Sequence, residues 1–89
     1  GRVRGRMRIS FHPDVLKQLQ RLPRAELEKA LQVIIGLTHD PRPLNAKKLV
    51  GNQHDWRVHF GQHRVVYSID DAAGEVTVFN VAKRSDAYR

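Results

Sequence analysis

Cysteine is absent from this chain of 89 residues. Its absence excludes a disulfide scaffold, a cysteine nucleophile and any cysteine-bearing zinc site, and it leaves the redox compartment without a marker. Aromatic residues are sparse at 7%, with one Trp and two Tyr. Acidic residues are few, 9 against 16 Lys and Arg, for a formal charge of +7. No apolar run approaches the ~18 residues of a membrane span. The N-terminus carries arginines without the apolar stretch of a signal peptide. His12, His39, His54 and His63 lie in separate segments, and no pair has convincing metal-ligand spacing. Ser68 and Ser85 lack the context of a Ser-His-Asp arrangement. The sequence therefore points away from any metal or small-molecule cofactor.

What is present suits a single small domain. Hydrophobic residues make up 40% of the chain, enough for one modest core. A basic domain of this size has a polyanion as its default partner, with solubility as the competing reason for the charge. The charge is unevenly placed. Residues 1–50 hold 11 Lys and Arg against 4 acids, while residues 51–89 hold 5 of each. Arg2, Arg4 and Arg6 alternate with small residues in a leader, residues 1–6, that offers nothing to a core and is expected to be poorly ordered. The domain proper is expected over residues 7–89, beginning at Met7.

Hydrophobic spacing predicts the elements. Met7, Ile9 and Phe11 alternate with polar residues, as in a half-buried strand. Pro13 stands where a helix can begin. Val15, Leu16, Leu19 and Leu22 then follow at helical spacing, and Pro23 ends that run. A second helix is predicted from about Arg24 to Leu37, with Leu27, Ala30, Leu31, Ile34 and Ile35 on one stripe. Gly36, Pro41 and Pro43 mark a connection. Strands are predicted over Trp56–Phe60, around Val65–Ile69, and over Glu75–Ala82, with Gly61-Gln62 and Asp70–Gly74 as turns. The order βααβββ gives an α+β domain, a small mostly antiparallel sheet with a two-helix hairpin on one face. Alternation predicts that Val58, Phe60, Val65, Tyr67 and Ile69 face the helices, with Trp56 also in the core. Arg57, His59 and Arg64 would point to the uncovered side.

The series Lys48-Leu49-Val50-Gly51, His63-Arg64-Val65-Val66-Tyr67 and Val81-Ala82-Lys83-Arg84, leading to Asp86-Ala87-Tyr88-Arg89, resembles the RelE/ParE toxin superfamily from Met7 to the C-terminus. The set is fairly specific, although each piece alone is weak. The resemblance implies the toxin of a type II toxin–antitoxin pair, acting in the cytoplasm and blocked by a cognate antitoxin. RelE-type members cut messenger RNA in the ribosomal A site, whereas ParE-type members poison DNA gyrase and usually lack the terminal basic-plus-Tyr arrangement. Lys83, Arg84 and Tyr88 align this chain with the RelE branch. The activity so implied is that of a metal-independent endoribonuclease. In it the RNA 2′-OH attacks the adjacent phosphate and leaves a 2′,3′-cyclic phosphate and a 5′-OH. The protein must position the strand, take one proton, stabilise the phosphorane charge and protonate the leaving oxygen.

Arg57 and His59 match positions where the family carries basic residues, often two lysines. A histidine there can be neutral at working pH, which assigns His59 as general base and Arg57 as phosphate holder. Arg64 matches the transition-state arginine, whose fork can bond two phosphate oxygens. Arg84 matches the arginine proposed as leaving-group acid. A guanidinium is a poor acid, so charge stabilisation is its firmer role. Tyr88 matches the terminal tyrosine that orients the nucleotide or shares in proton transfer. Lys47 and Lys48 are candidate contacts to ribosomal RNA, and Lys83 a helper of Arg84. Two other functions stay open: a gyrase inhibitor of the ParE type, and a silent homologue that binds antitoxin or RNA without cutting, for which the histidine at position 59 is the warning.

Overall fold

The structure is a computed structural model and describes residues 7–49 and 55–83. The expected leader, residues 1–6, lies outside the described residues, as do His54, Arg84 and Tyr88. The chain opens with β1 (Arg8–Phe11), followed by α1 (Pro13–Gln20) and α2 (Arg24–His39). Four strands follow: β2 (Ala46–Lys48), β3 (Asp55–Phe60), β4 (His63–Asp70) and β5 (Glu75–Lys83). The sheet order is β1-β5-β4-β3-β2, with β1 parallel to β5 and the other pairs antiparallel. This is the expected α+β architecture with one further element, the three-residue edge strand β2. Its Ala-Lys-Lys sequence is too short and polar for alternation to reveal it.

Local chemistry sets the helix limits. Pro13 occupies the first turn of α1, and the Asp14 amide donates to His12 Nδ1 at 3.2 Å as an N-cap. Pro23 precedes α2 without a side-chain cap. Val15 and Leu19 of α1, with Ala30, Ile34 and Leu37 of α2, pack on Val58, Phe60, Val65, Tyr67, Ile69, Val76, Val78 and Val81. The five strand residues expected to face the helices all do so. The helical stripes are narrower than expected, because Leu16, Leu31 and Ile35 are 51%, 40% and 60% exposed. A helix lying on one sheet buries a single stripe, and these three fall off it. Trp56 is half-buried against the core, with the Arg42 guanidinium 5.5 Å from its ring centroid. Among the described residues no helix is long and apolar enough to cross a membrane.

Three details position the open face. Gly61, at φ 56°, lets β3 turn into β4 within two residues, the geometry of a mirror-image hairpin turn with glycine first. A bulge interrupts the β4–β5 pairing, since Tyr67 pairs with Val78 but Val66 with Asn80, which leaves Phe79 as the extra residue. Beyond the bulge the alternation of β5 is reversed. Val76, Val78 and Val81 are buried, and Asn80 and Ala82 turn to the open side. Where β1 has left β5, Gln18 of α1 takes over its edge, its Oε1 accepting from the Val81 amide at 2.6 Å. That bond satisfies a donor which would otherwise lack a ladder partner.

Candidate active site

Paired residues in an antiparallel ladder share a face, so the strand register maps the open side as rows. One row holds His59, Arg64 and Ala82 across β3, β4 and β5. The next holds Lys47, Arg57, Val66 and Asn80. A third holds Asp55, Ser68, Thr77 and Ser10, with Ser10 Oγ and Thr77 Oγ1 3.0 Å apart. The last holds Asp70, Glu75 and Arg8. Cations therefore gather at the β3–β4 turn, and the acids lie toward the opposite end. An anionic strand is drawn to one end of this face and repelled from the other.

At the cationic end, Arg64 Nε donates to His59 Nε2 at 3.3 Å. The acceptor must be a ring nitrogen with a free lone pair, so the bond holds the imidazole with Nε2 unprotonated. Arg57 lies two residues from His59 on the same strand face, about 7 Å along the strand. Its Nε is enclosed and has no hydrogen-bond acceptor among the described residues. An enclosed donor without an acceptor carries a desolvation cost, about 1–3 kcal/mol, that an incoming oxyanion would relieve. Asn45 Nδ2 donates to the His59 carbonyl at 3.4 Å and secures β3 just before the start of β2.

The structure brings together Arg57, His59 and Arg64, and it revises how open the site is. Arg64 was expected on an uncovered surface but is 4% exposed. It sits on the central strand with β3 and β5 on either side and is folded toward His59, so its guanidinium is held rather than solvated. The lysines separate. Lys47 pairs with Arg57 and joins its row, while Lys48 pairs with Trp56 on the helix side of the sheet. Lys83 pairs with His63, also on the helix side, because the bulge has reversed the phase of β5. Asn80 was missed. Simple alternation from Val76 and Val78 assigns it to the core, and only the bulge turns it outward. Asn45 carries no sequence signal, because its role depends on where β2 begins.

Residues 9–88 match the family model described as ParE toxin of type II toxin-antitoxin system, parDE. The chain belongs to this toxin family. Toxin relatives of the RelE type are similar over nearly the same span. "Putative toxin RelE1" of Methanocaldococcus jannaschii is 31% identical, over 91% of this chain and 93% of the relative. "Toxin RelE" of Mycobacterium tuberculosis is also 31% identical, over 91% and 84%. Among solved structures, the RelE–RelB complex of Pyrococcus horikoshii superposes with a TM-score of 0.78 at 28% identity, covering 88% of this chain and 94% of that one. The chain is thus a RelE-like toxin of the RelE/ParE superfamily, and its α+β order is that of the toxin fold.

Proposed function

We propose that this RelE-like toxin is a ribosome-dependent endoribonuclease that cuts messenger RNA in the A site. The observation that carries the reading is the enclosed Arg57 Nε, without an acceptor among the described residues, beside the Arg64–His59 pair. A scissile phosphate lying across these two adjacent rows offers acceptors to both guanidiniums. Arg64 then exchanges His59 for a phosphate oxygen, and the freed Nε2 lone pair takes the proton of the RNA 2′-OH. The 2′ oxygen attacks phosphorus, the P–O5′ bond breaks, and the products are a 2′,3′-cyclic phosphate and a 5′-OH. Arg57 and Arg64 neutralise the charge that builds on the phosphorane. Arg84 and Tyr88 are the candidates for stabilising and protonating the leaving oxygen, and Lys47 for holding the RNA track. Ribosome dependence fits the size of the site. Three side chains on a small face cannot align an RNA strand alone, and alignment supplies a large part of such a rate.

The partner that restrains the toxin is a cognate antitoxin, as supported by structural neighbours solved as RelE–RelB complexes. The site of action is the cytoplasm, where ribosomes translate. The family description names ParE, which keeps gyrase inhibition as the second reading. Purified toxin, ribosomes and a translated message decide between them. Mapped 5′ ends are expected within codons, on 5′-OH fragments, and only when ribosomes are present. No new ends at high toxin concentration overturns the nuclease. DNA damage preceding translation arrest on induction favours gyrase.

A further inference from the structure

On the reverse side of the sheet from the cationic row, at the same β3–β4 end, lies a hollow of about 380 Å³. Its walls include Pro23 and Glu26 from the start of α2, Lys29 one turn on, and His63 and Lys83 from paired positions of β4 and β5. A second hollow shares Pro23, His63 and Lys83 and adds Arg21. Three observations give this place a chemistry. First, α2 begins without a side-chain cap, and Leu27 is the residue whose amide reaches the Pro23 carbonyl, at 2.8 Å. The amides of Arg24, Ala25 and Glu26 therefore have no acceptor within the helix, and the helix dipole is positive there. Second, His63 is only 8% exposed and stacks on Phe60 with centroids 5.2 Å apart, yet among the described residues nothing hydrogen-bonds its ring. His63 lines both hollows. Third, Lys29 and Lys83 have no ion-pair partner among the described residues, and Glu26 is the one acid in the walls.

A buried histidine and two lysines, without polar partners among the described residues, stand beside an uncapped helix start, a set whose chemistry suits a tetrahedral oxyanion. We propose that this hollow binds a backbone phosphate of RNA, on the opposite side of the sheet from the cleavage row. The choice of RNA as the source of that phosphate rests on the nuclease reading. His63 and Arg64 are consecutive residues of β4 and point to opposite faces, so one strand end grips RNA on both sides of the Gly61-Gln62 turn.

The test uses the whole chain, with inorganic phosphate and a 2′-O-methylated RNA oligonucleotide as probes, followed by NMR. Both probes are expected to shift the His63 ring resonances and the amides of Arg24–Glu26. In the Lys29→Ala/Lys83→Ala variant those shifts vanish, and the salt slope of oligonucleotide binding falls by about 0.7, as loss of one phosphate contact on a single strand requires. Both lysines lie outside the core, so the variant is expected to keep the wild-type spectrum elsewhere. An unchanged slope, or phosphate shifts confined to other residues, overturns the proposal. So does an acidic peptide that moves the His63 resonances when the oligonucleotide does not. The 2′-O-methyl probe cannot be cleaved by 2′-OH attack, so the two readings fail separately. Oligonucleotide binding at His63 by a toxin that leaves translated messages intact sinks the nuclease and keeps this site.

Discussion

The two faces of β4 differ more than any two elements of the molecule. One face carries His63, Val65, Tyr67 and Ile69, all buried, and meets the helices. The other carries Arg64, Val66, Ser68 and Asp70, and grades from an enclosed guanidinium to an exposed acid. The first face does the work of stability, where apolar area is removed from water at about 25 cal/mol per Å². On the nuclease reading, the second holds the polar groups that would meet the substrate. One strand can do both because its side chains alternate, and a helix hairpin covers one side only. Substitutions of the apolar residues on the helix side should therefore move the melting temperature and leave cleavage by the folded fraction intact. Substitutions on the open side should do the reverse.

The largest separation is expected at His59. Replacing it with Gln leaves an acceptor for Arg64 but removes the proton acceptor. Single-turnover cleavage of translated mRNA should fall about 10²–10⁴-fold, while stability stays within about 0.5 kcal/mol of wild type. Ile34→Ala is the matching change on the other side. It opens a cavity beneath the sheet and should cost about 2–5 kcal/mol in urea unfolding, with cleavage per folded molecule unchanged. Equal losses of cleavage from both variants would erase the distinction between the faces.

A smaller effect is expected at alkaline pH. Burial pushes the Tyr67 phenol up to about 12, against the nearby Arg42 charge, which pulls it down. Its hydroxyl donates to the Pro41 carbonyl at 2.7 Å. The folded state thus favours the neutral phenol. Its contribution is complete below the unfolded value near ~10 and is lost as pH rises through 12, in all about 2–3 kcal/mol. Denaturation measured from pH 9 to 12 should show that loss, and Tyr67→Phe should flatten the curve. Least is expected from Arg42→Ala. The Asp71 carboxylate, which accepts from Arg42 at 2.8 Å, and the Trp56 ring hold this arginine at the protein surface. Losing both contacts should cost no more than about 1 kcal/mol by thermal unfolding.

The legible parts of the sequence are those where a regular period runs without interruption. Val58 and Phe60, and Val65, Tyr67 and Ile69, alternate cleanly, so both the core face and the Arg57–His59–Arg64 side could be assigned. The resemblance of the Lys48–Gly51, His63–Tyr67, Val81–Arg84 and Asp86–Arg89 segments points to the family. What stayed hidden depends on tertiary register. The bulge at Phe79 leaves no mark in a run of Val, Thr, Phe and Asn, yet it decides that Asn80 turns to the open side and Lys83 to the helix side. β2 forms because β3 offers an edge, not because Ala46-Lys47-Lys48 favours a strand. That pairing sends Lys47 and Lys48 to opposite faces. Leu31 and Ile35 match the helical period of the core residues but lie off the stripe that meets the sheet. The enclosure of Arg64 follows from its place on a central strand, which its own residue type would argue against.

On the nuclease reading, Arg64, paired with His59 at 3.3 Å, serves the chemistry of RNA cleavage rather than the stability of the sheet. The most direct measurement is the single-turnover rate of cutting of ribosome-bound mRNA by Arg64→Ala, read by mapped 5′ ends, on protein shown by circular dichroism to be folded. A fall of about 10²–10³-fold is predicted. Wild-type cutting by the folded variant would contradict the account.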